Sequence, residues 1–247
     1  MDALAAQQKM GLFGGLFRNL FASDKSVRRI EETLAKIKGP LKIEPLKTRL
    51  NGVERVSQDV AVITNEAGDV VATVMSKVPG QNLMKGLTAL ETPADLTTLL
   101  KRSAHLPQEA FDDLVGTVNT LRGRGVALDF QHPGNLMVDE ATGRFGLVDV
   151  AESAVLGAGQ SHPDFRQVLG ALLGKTNQGA KLTELLESGT QPELRELAKQ
   201  ILTKYETALK NHGLSMERNV VSRTLIKEDP MDKLLSALNK PKMPPAA

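Results

Sequence analysis

Apolar positions recur along this chain with two periods, and the switch between them outlines its elements. From Ser26 to Lys38, Val27, Ile30, Leu34 and Ile37 fall on one helical stripe. Residues 40–50 read as a connector or short strand. Val53 to Val62 and Asp69 to Val78 then alternate as two strands joined across Asn65-Glu66-Ala67-Gly68. Pro79 to Leu83 reads as a loop opening a helix, and Thr92 to Arg102 as a further helix. Phe111, Leu114, Val115, Val118 and Leu121 predict a buried helix, with Pro107 suited to its first turn and Gly123 and Gly125 to its stop. Past Asp149 the pattern is almost wholly helical. Phe165, Val168, Leu169, Leu172 and Leu173 form one stripe there, and Leu194, Leu197, Ile201, Tyr205 and Leu209 another.

Between the helical stretches lies DFQHPGNLMVDEATGRFGLVDV, residues 129–150. His132-Pro133-Gly134 predicts a tight loop, Asn135 to Val138 a short strand, Asp139 to Gly143 a turn, and Arg144 to Val150 a returning strand. Such a hairpin brings Asn135 close to Asp149. A phosphoryl-transfer site needs a carboxylate to orient the attacking hydroxyl and hard oxygen ligands for an octahedral Mg²⁺. Asp129 is the candidate catalytic carboxylate, and Asn135 and Asp149 are the candidate metal ligands. Singly, each residue has an ordinary use in capping a loop, satisfying a turn or ending a strand. Their order and setting carry the chemical reading.

The order of helix, Asp loop, Asn strand, hairpin and second Asp resembles the C-terminal lobe of the protein-kinase-like fold. The nearest flavour is the aminoglycoside or choline phosphotransferases and the small bacterial effector kinases, whose catalytic loop commonly reads like DFQPGN. Further upstream, Val74 to Leu83 looks like the strand and hinge of those enzymes. The resemblance covers roughly residues 53–170 and implies an α+β protein-kinase-like fold with a small N-terminal β-hairpin/helix lobe and a larger helical C-lobe. It implies ATP and Mg²⁺ as cofactors, the backbone of Met75, Ser76, Lys77 and Val78 against the adenine, and Asp129 as the base. Asp164, after Pro163, resembles the acid that braces the catalytic loop from below; an acid at a helix N-terminus is the alternative.

Several positions depart from the family. Five residues separate Asp129 from Asn135, where the kinase loop has about four. If His132 is an insertion, Asp129 is the base; aligned without a gap, Phe130 takes that place and the base is lost. Ala127 stands where many members have His or Tyr, and Val150-Ala151 follows Asp149 in place of Phe-Gly. With the hinge at 72–83, the helix Ser26 to Lys38 is the counterpart of the regulatory helix. Gly11, Gly14 and Gly15 before it lack the spacing of a phosphate-covering glycine loop. A second registration makes Lys77 the phosphate lysine and leaves no hinge. Either way the nucleotide lobe is reduced.

Length and composition fit a bilobal chain: 247 residues, 41% hydrophobic but only 3% aromatic, so the core is built from Leu, Val, Ile, Ala and Met. The organisation expected is an amphipathic segment over 1–22, a reduced N-lobe over 23–80, a helical C-lobe over 81–239 and a disordered tail over 240–247. A net charge of +2 with interleaved acids and bases argues against nucleic acid as a partner. Zero Cys excludes disulfides and thiolate chemistry. No apolar run reaches the ~20 residues of a membrane span. Phe13, Phe17 and Phe21 with Leu12, Leu16 and Leu20 form a helix that packs on the domain or, through residues 11–21, meets a membrane surface or partner.

The leading expectation is a soluble phosphotransferase acting from Mg·ATP on a hydroxyl, more readily of a protein than of a small molecule. It would work in the cytoplasm or, as a bacterial effector, inside a host cell. The alternative is a pseudokinase, a catalytically inactive binding module that engages a host protein.

Overall fold

The computed structural model describes residues 39–45, 50, 52–57, 59–87, 90, 92–128, 133–148, 150–155, 165–174, 181–216 and 230–239. The expected helix over 26–38, the segment 1–22, the tail 240–247, Asp129, His132, Asp149 and Asp164 lie outside them. The described parts form two compact units, one within Met1–Asn51 and Ser57–Lys77, the other within Gly52–Val56 and Val78–Ala247. The fold is α+β, with small antiparallel sheets and a set of helices.

The first unit holds a three-stranded antiparallel sheet of β1 (Lys42–Pro45), β2 (Asp59–Thr64) and β3 (Val70–Met75), with β2 in the centre. Ala61, Ile63 and Val74 are its buried apolar positions, as two-residue periodicity requires of one face. The turn expected at Asn65–Gly68 is present. Asn65 Oδ1 accepts from the Asp69 amide at 2.8 Å, and Gly68 takes φ +84°, which glycine adopts without steric cost. Both strands are shorter than their alternation suggests. Val53 and Val56 do not extend β2; they are buried in the second unit, where Val56 bridges Leu147.

The second unit begins with β4 (Gln81–Asn82), where the sequence reads as a loop opening a helix. Helix α1 (Pro93–Ala104) follows with Thr92 as its cap, accepting from the Asp95 amide at 3.1 Å, and Pro93 in the first turn. Helix α2 (Gln108–Gly123) buries all five residues of the predicted stripe, each such side chain stabilising by about 1.5–3 kcal/mol. Strand β5 (Val126–Leu128) leads to a 3₁₀ turn (Pro133–Asn135), then β6 (Leu136–Asp139), β7 (Arg144–Leu147) and β8 (Val150–Val155). The 3₁₀ turn delays β6 by one residue. The single strand expected from Arg144 to Val150 is two, because β7 pairs with β6 and β8 turns to β5. A strand in place of the helical pattern past Asp149 is a further correction.

The C-terminal elements are α3 (Phe165–Leu172), α4 (Lys181–Glu187), α5 (Pro192–Asn211) and α6 (Pro230–Asn239). Helix α5 is the centre of this unit: α1 and α2 pack on it, and both predicted apolar stripes are buried. Several polar groups inside are satisfied by main chain. Tyr205 Oη donates to Phe165 O at 2.8 Å, and Arg195 donates to Leu186 O and Ala237 O, both at 2.5 Å, near the ends of α4 and α6. Lys204 Nζ donates to Ala104 O and Leu106 O, and burial lowers its pKa.

Candidate functional site

The candidate residues are best located through the main chain around them. β5 and β8 pair antiparallel, with Leu128 opposite Val150 and Ala127 opposite Ala151. The chain therefore leaves β5 and enters β8 at the same end of one ladder. Asp129 follows Leu128 and Asp149 precedes Val150; both acids lie outside the described residues. Asn135 closes the 3₁₀ turn and is half-buried, and its carbonyl accepts from the Val148 amide at 3.0 Å. Leu128, Asn135, Val148 and Val150, which flank or include the three candidates, thus meet at one corner.

That corner is held from behind by β4. Asn82 Nδ2 donates to Gly134 O at 2.5 Å, while its Oδ1 accepts from the Met84 amide at 2.7 Å, so the side chain is locked at both ends. The Leu83 amide donates to Leu136 O at 2.9 Å. Arg102, in the last turn of α1, donates to Leu83 O and Lys85 O at 2.6 and 2.7 Å. A chain of contacts thus runs from α1 through residues 82–85 to the residue before Asn135.

At the far end of the β6–β7 hairpin stands a charged cluster. Arg55 Nη2 donates to Asp139 Oδ2 at 3.0 Å and to Thr142 Oγ1 at 2.7 Å, and the Thr142 hydroxyl donates to Asp139 Oδ2 at 2.6 Å. The Thr142 hydroxyl, and after it the Arg55 guanidinium, hold the Asp139 carboxyl below its usual pKa against the opposing effect of burial.

The four residues expected against an adenine are spread over different surroundings. Met75 ends β3 with its side chain exposed, and Ser76 O accepts from Ser57 Oγ at 3.2 Å. Lys77 is exposed, and Val78 is buried with Cγ1 against Gly146.

A separate polar cleft of about 630 Å³ is lined by residues 52–54, α2 and His212, and contains none of the candidate residues. Two of its carboxylates are engaged: Asp112 accepts from Asn211 Nδ2 at 3.0 Å, and Asp113 pairs with Arg144 at 3.3 Å. Among the described residues no three His, Asp or Glu side chains converge as a metal site.

Asn82, Arg102, Arg55 and Thr142 lie within a hinge-like loop, a helix, a strand and a turn of the sequence reading, which gives none of them a role of its own. Asp139 to Gly143 is legible as a turn, but nothing local announces an arginine 84 positions upstream. Asn82 sits in a stretch read as loop and hinge, and nothing in it points to Gly134.

No family model, curated protein or solved structure matches this chain.

Proposed function

We propose that this chain is a kinase-like phosphotransferase that moves a phosphoryl group from Mg·ATP to a hydroxyl acceptor, a protein rather than a small molecule. One observation carries the reading: Leu128 pairs with Val150 while Val148 binds the Asn135 carbonyl, so the backbone beside both acids and the amide residue shares a corner. The donor set of two carboxylates and one amide is all hard oxygen, which suits Mg²⁺ and disfavours softer metals. Asn135 and Asp149 would hold the metal, which when bound neutralises phosphate charge. Asp129 would orient the acceptor hydroxyl and take its proton as the new oxygen–phosphorus bond forms and the bond from the γ-phosphorus to the bridging oxygen breaks, releasing ADP. The backbone of Met75, Ser76, Lys77 and Val78 holds the adenine.

Calorimetry with Mg·ATP, followed by turnover assays, tests this. Asp149→Ala should weaken nucleotide binding by more than the roughly 10-fold that loss of an outer-shell partner costs a metal site. Asp129→Asn should leave binding intact and abolish transfer. If Asp149→Ala changes neither affinity nor transfer, the metal assignment is wrong.

The second reading, a catalytically inactive module that binds a host protein, is favoured by the five residues between Asp129 and Asn135. Absence of binding at millimolar nucleotide would decide for it. In either case the chain acts in the cytoplasm or, as an effector, in a host cell. Among the described residues no helix is long and apolar enough to cross a membrane. Liposome co-sedimentation unaffected by deleting residues 1–22 would remove a membrane-surface role for 11–21.

A further inference from the structure

We propose that Arg55 is a positioning residue for the candidate metal corner, gripping the β6–β7 hairpin at both ends and thereby fixing the junction between Val148 and Asn135. Its consequence for activity rests on the phosphotransferase reading; the grip itself does not.

Residues 52–56 lie in sequence between β1 and β2 yet belong to the second unit. Val53 and Val56 are buried, and Val56 makes a parallel bridge to Leu147. At one end of β7 the Leu147 amide donates to Arg55 O at 2.8 Å. At the turn end of the hairpin, the Arg55 guanidinium closes a triangle with Asp139, the last residue of β6, and Thr142. Between them Gly146 leaves room for the strap: a Cβ there would meet Val78 Cγ1 and lie 3.2 Å from Arg55 O. The next amide after Leu147 is Val148, which holds the Asn135 carbonyl. The strap therefore ends one residue from the candidate corner.

The backbone supports a reason beyond packing. Arg55 is the one non-glycine residue among those described with positive φ, +60°. That conformation is strained for a long side chain, and glycine or asparagine would adopt it more readily. Strain of this kind persists where surrounding contacts over-determine it, and it points toward function. Both side-chain contacts come from the one nitrogen Nη2, so a lysine ammonium would reproduce part of the grip.

The test uses the full chain and the variants Arg55→Met, Arg55→Lys and Asp139→Asn. Met keeps the aliphatic stem, and Asp139→Asn leaves the strained backbone untouched, so one of them serves if the other fails to fold. Hydrogen exchange at the Leu147 and Val148 amides is read against α5 without nucleotide. The Mg²⁺ concentration for half-maximal turnover is then measured. Arg55→Met and Asp139→Asn should speed exchange at 147–148 by more than in α5, and raise the Mg²⁺ requirement about tenfold, the low end of an outer-shell effect. Arg55→Lys should recover part of both. Unchanged exchange at 147–148, or an equal rise in α5, overturns the positioning role. Faster local exchange with an unchanged Mg²⁺ requirement overturns the link to the metal corner. A wild-type chain that binds no Mg·ATP sinks the phosphotransferase reading and the metal link with it, while local exchange still decides the grip.

Discussion

Gly80→Ala should destabilise the second unit well beyond Gly86→Ala, although both glycines have positive φ in the same stretch of chain. Gly80 precedes β4 at φ +104°, and a Cβ built on it would lie 2.5 Å from Val138 O, 2.7 Å from Val138 C and 2.8 Å from Asp139 N. These are main-chain atoms of β6, held by pairing with β4 on one side and β7 on the other, so they cannot swing aside as a side chain would. Gly86 has φ +75° and nothing within 4 Å of its Cβ position. Alanine at Gly86 therefore costs only its backbone conformation, about 1–2 kcal/mol. Alanine at Gly80 carries at least that and adds overpacking of about 1–3 kcal/mol, for a total of about 2–5 kcal/mol. Against a whole-domain stability of about 5–15 kcal/mol that is a large share. Urea unfolding of both variants, with m-values compared to detect separate melting of the two units, measures the gap. Equal losses in the two variants would refute the close approach of residue 80 to β6, and with it the support that β4 gives Gly134 through Asn82.

Two further outcomes follow from buried polar contacts. Arg195→Met should cost about 2–4 kcal/mol in the same unfolding assay, because Ala237 O and Leu186 O would lose the guanidinium inside the protein, Leu186 O keeping only the long bond from the Gly189 amide at 3.4 Å; a loss within experimental error would show that water replaces it. For Asp139, a lowered folded pKa means that its contribution is fully present above the unfolded value of about 3.9 and is lost as pH falls through the depressed folded value. Asp139→Asn should thus be less stable than wild type by about 1–3 kcal/mol at neutral pH, with the difference shrinking below pH about 4. A difference that stays constant down to pH about 2 would contradict this sign.

The helices were largely legible because one-face burial writes itself into sequence spacing. Phe111 to Leu121 in α2 and Leu194 to Leu209 in α5 are buried as their period requires. The turn at 65–68 was legible from Asn and Gly. Strand β8 was not: Val150-Ala151-Glu152-Ser153-Ala154-Val155 has no clean alternation, and its state comes from pairing with β5. The start of β2 departs from the alternation because Val53 and Val56 are apolar for the sake of the second unit, a fact with no local signature. At the candidate corner, the hairpin that carries Val148 back to Asn135 could be read from turn residues. Its supports could not, since Asn82 reaches Gly134 across 52 positions and Arg55 reaches Asp139 across 84.

The most direct measurement is a Mn²⁺ titration of the isotope-labelled chain followed by amide resonances, with Mg²⁺ as competitor. At the lowest Mn²⁺, the amides of Leu128, Asn135, Val148 and Val150 should broaden first, and excess Mg²⁺ should restore them. Broadening that begins instead around Glu54, Asp112 and Asp113, or spreads evenly without relief by Mg²⁺, would contradict a metal site at the β5–β8 corner.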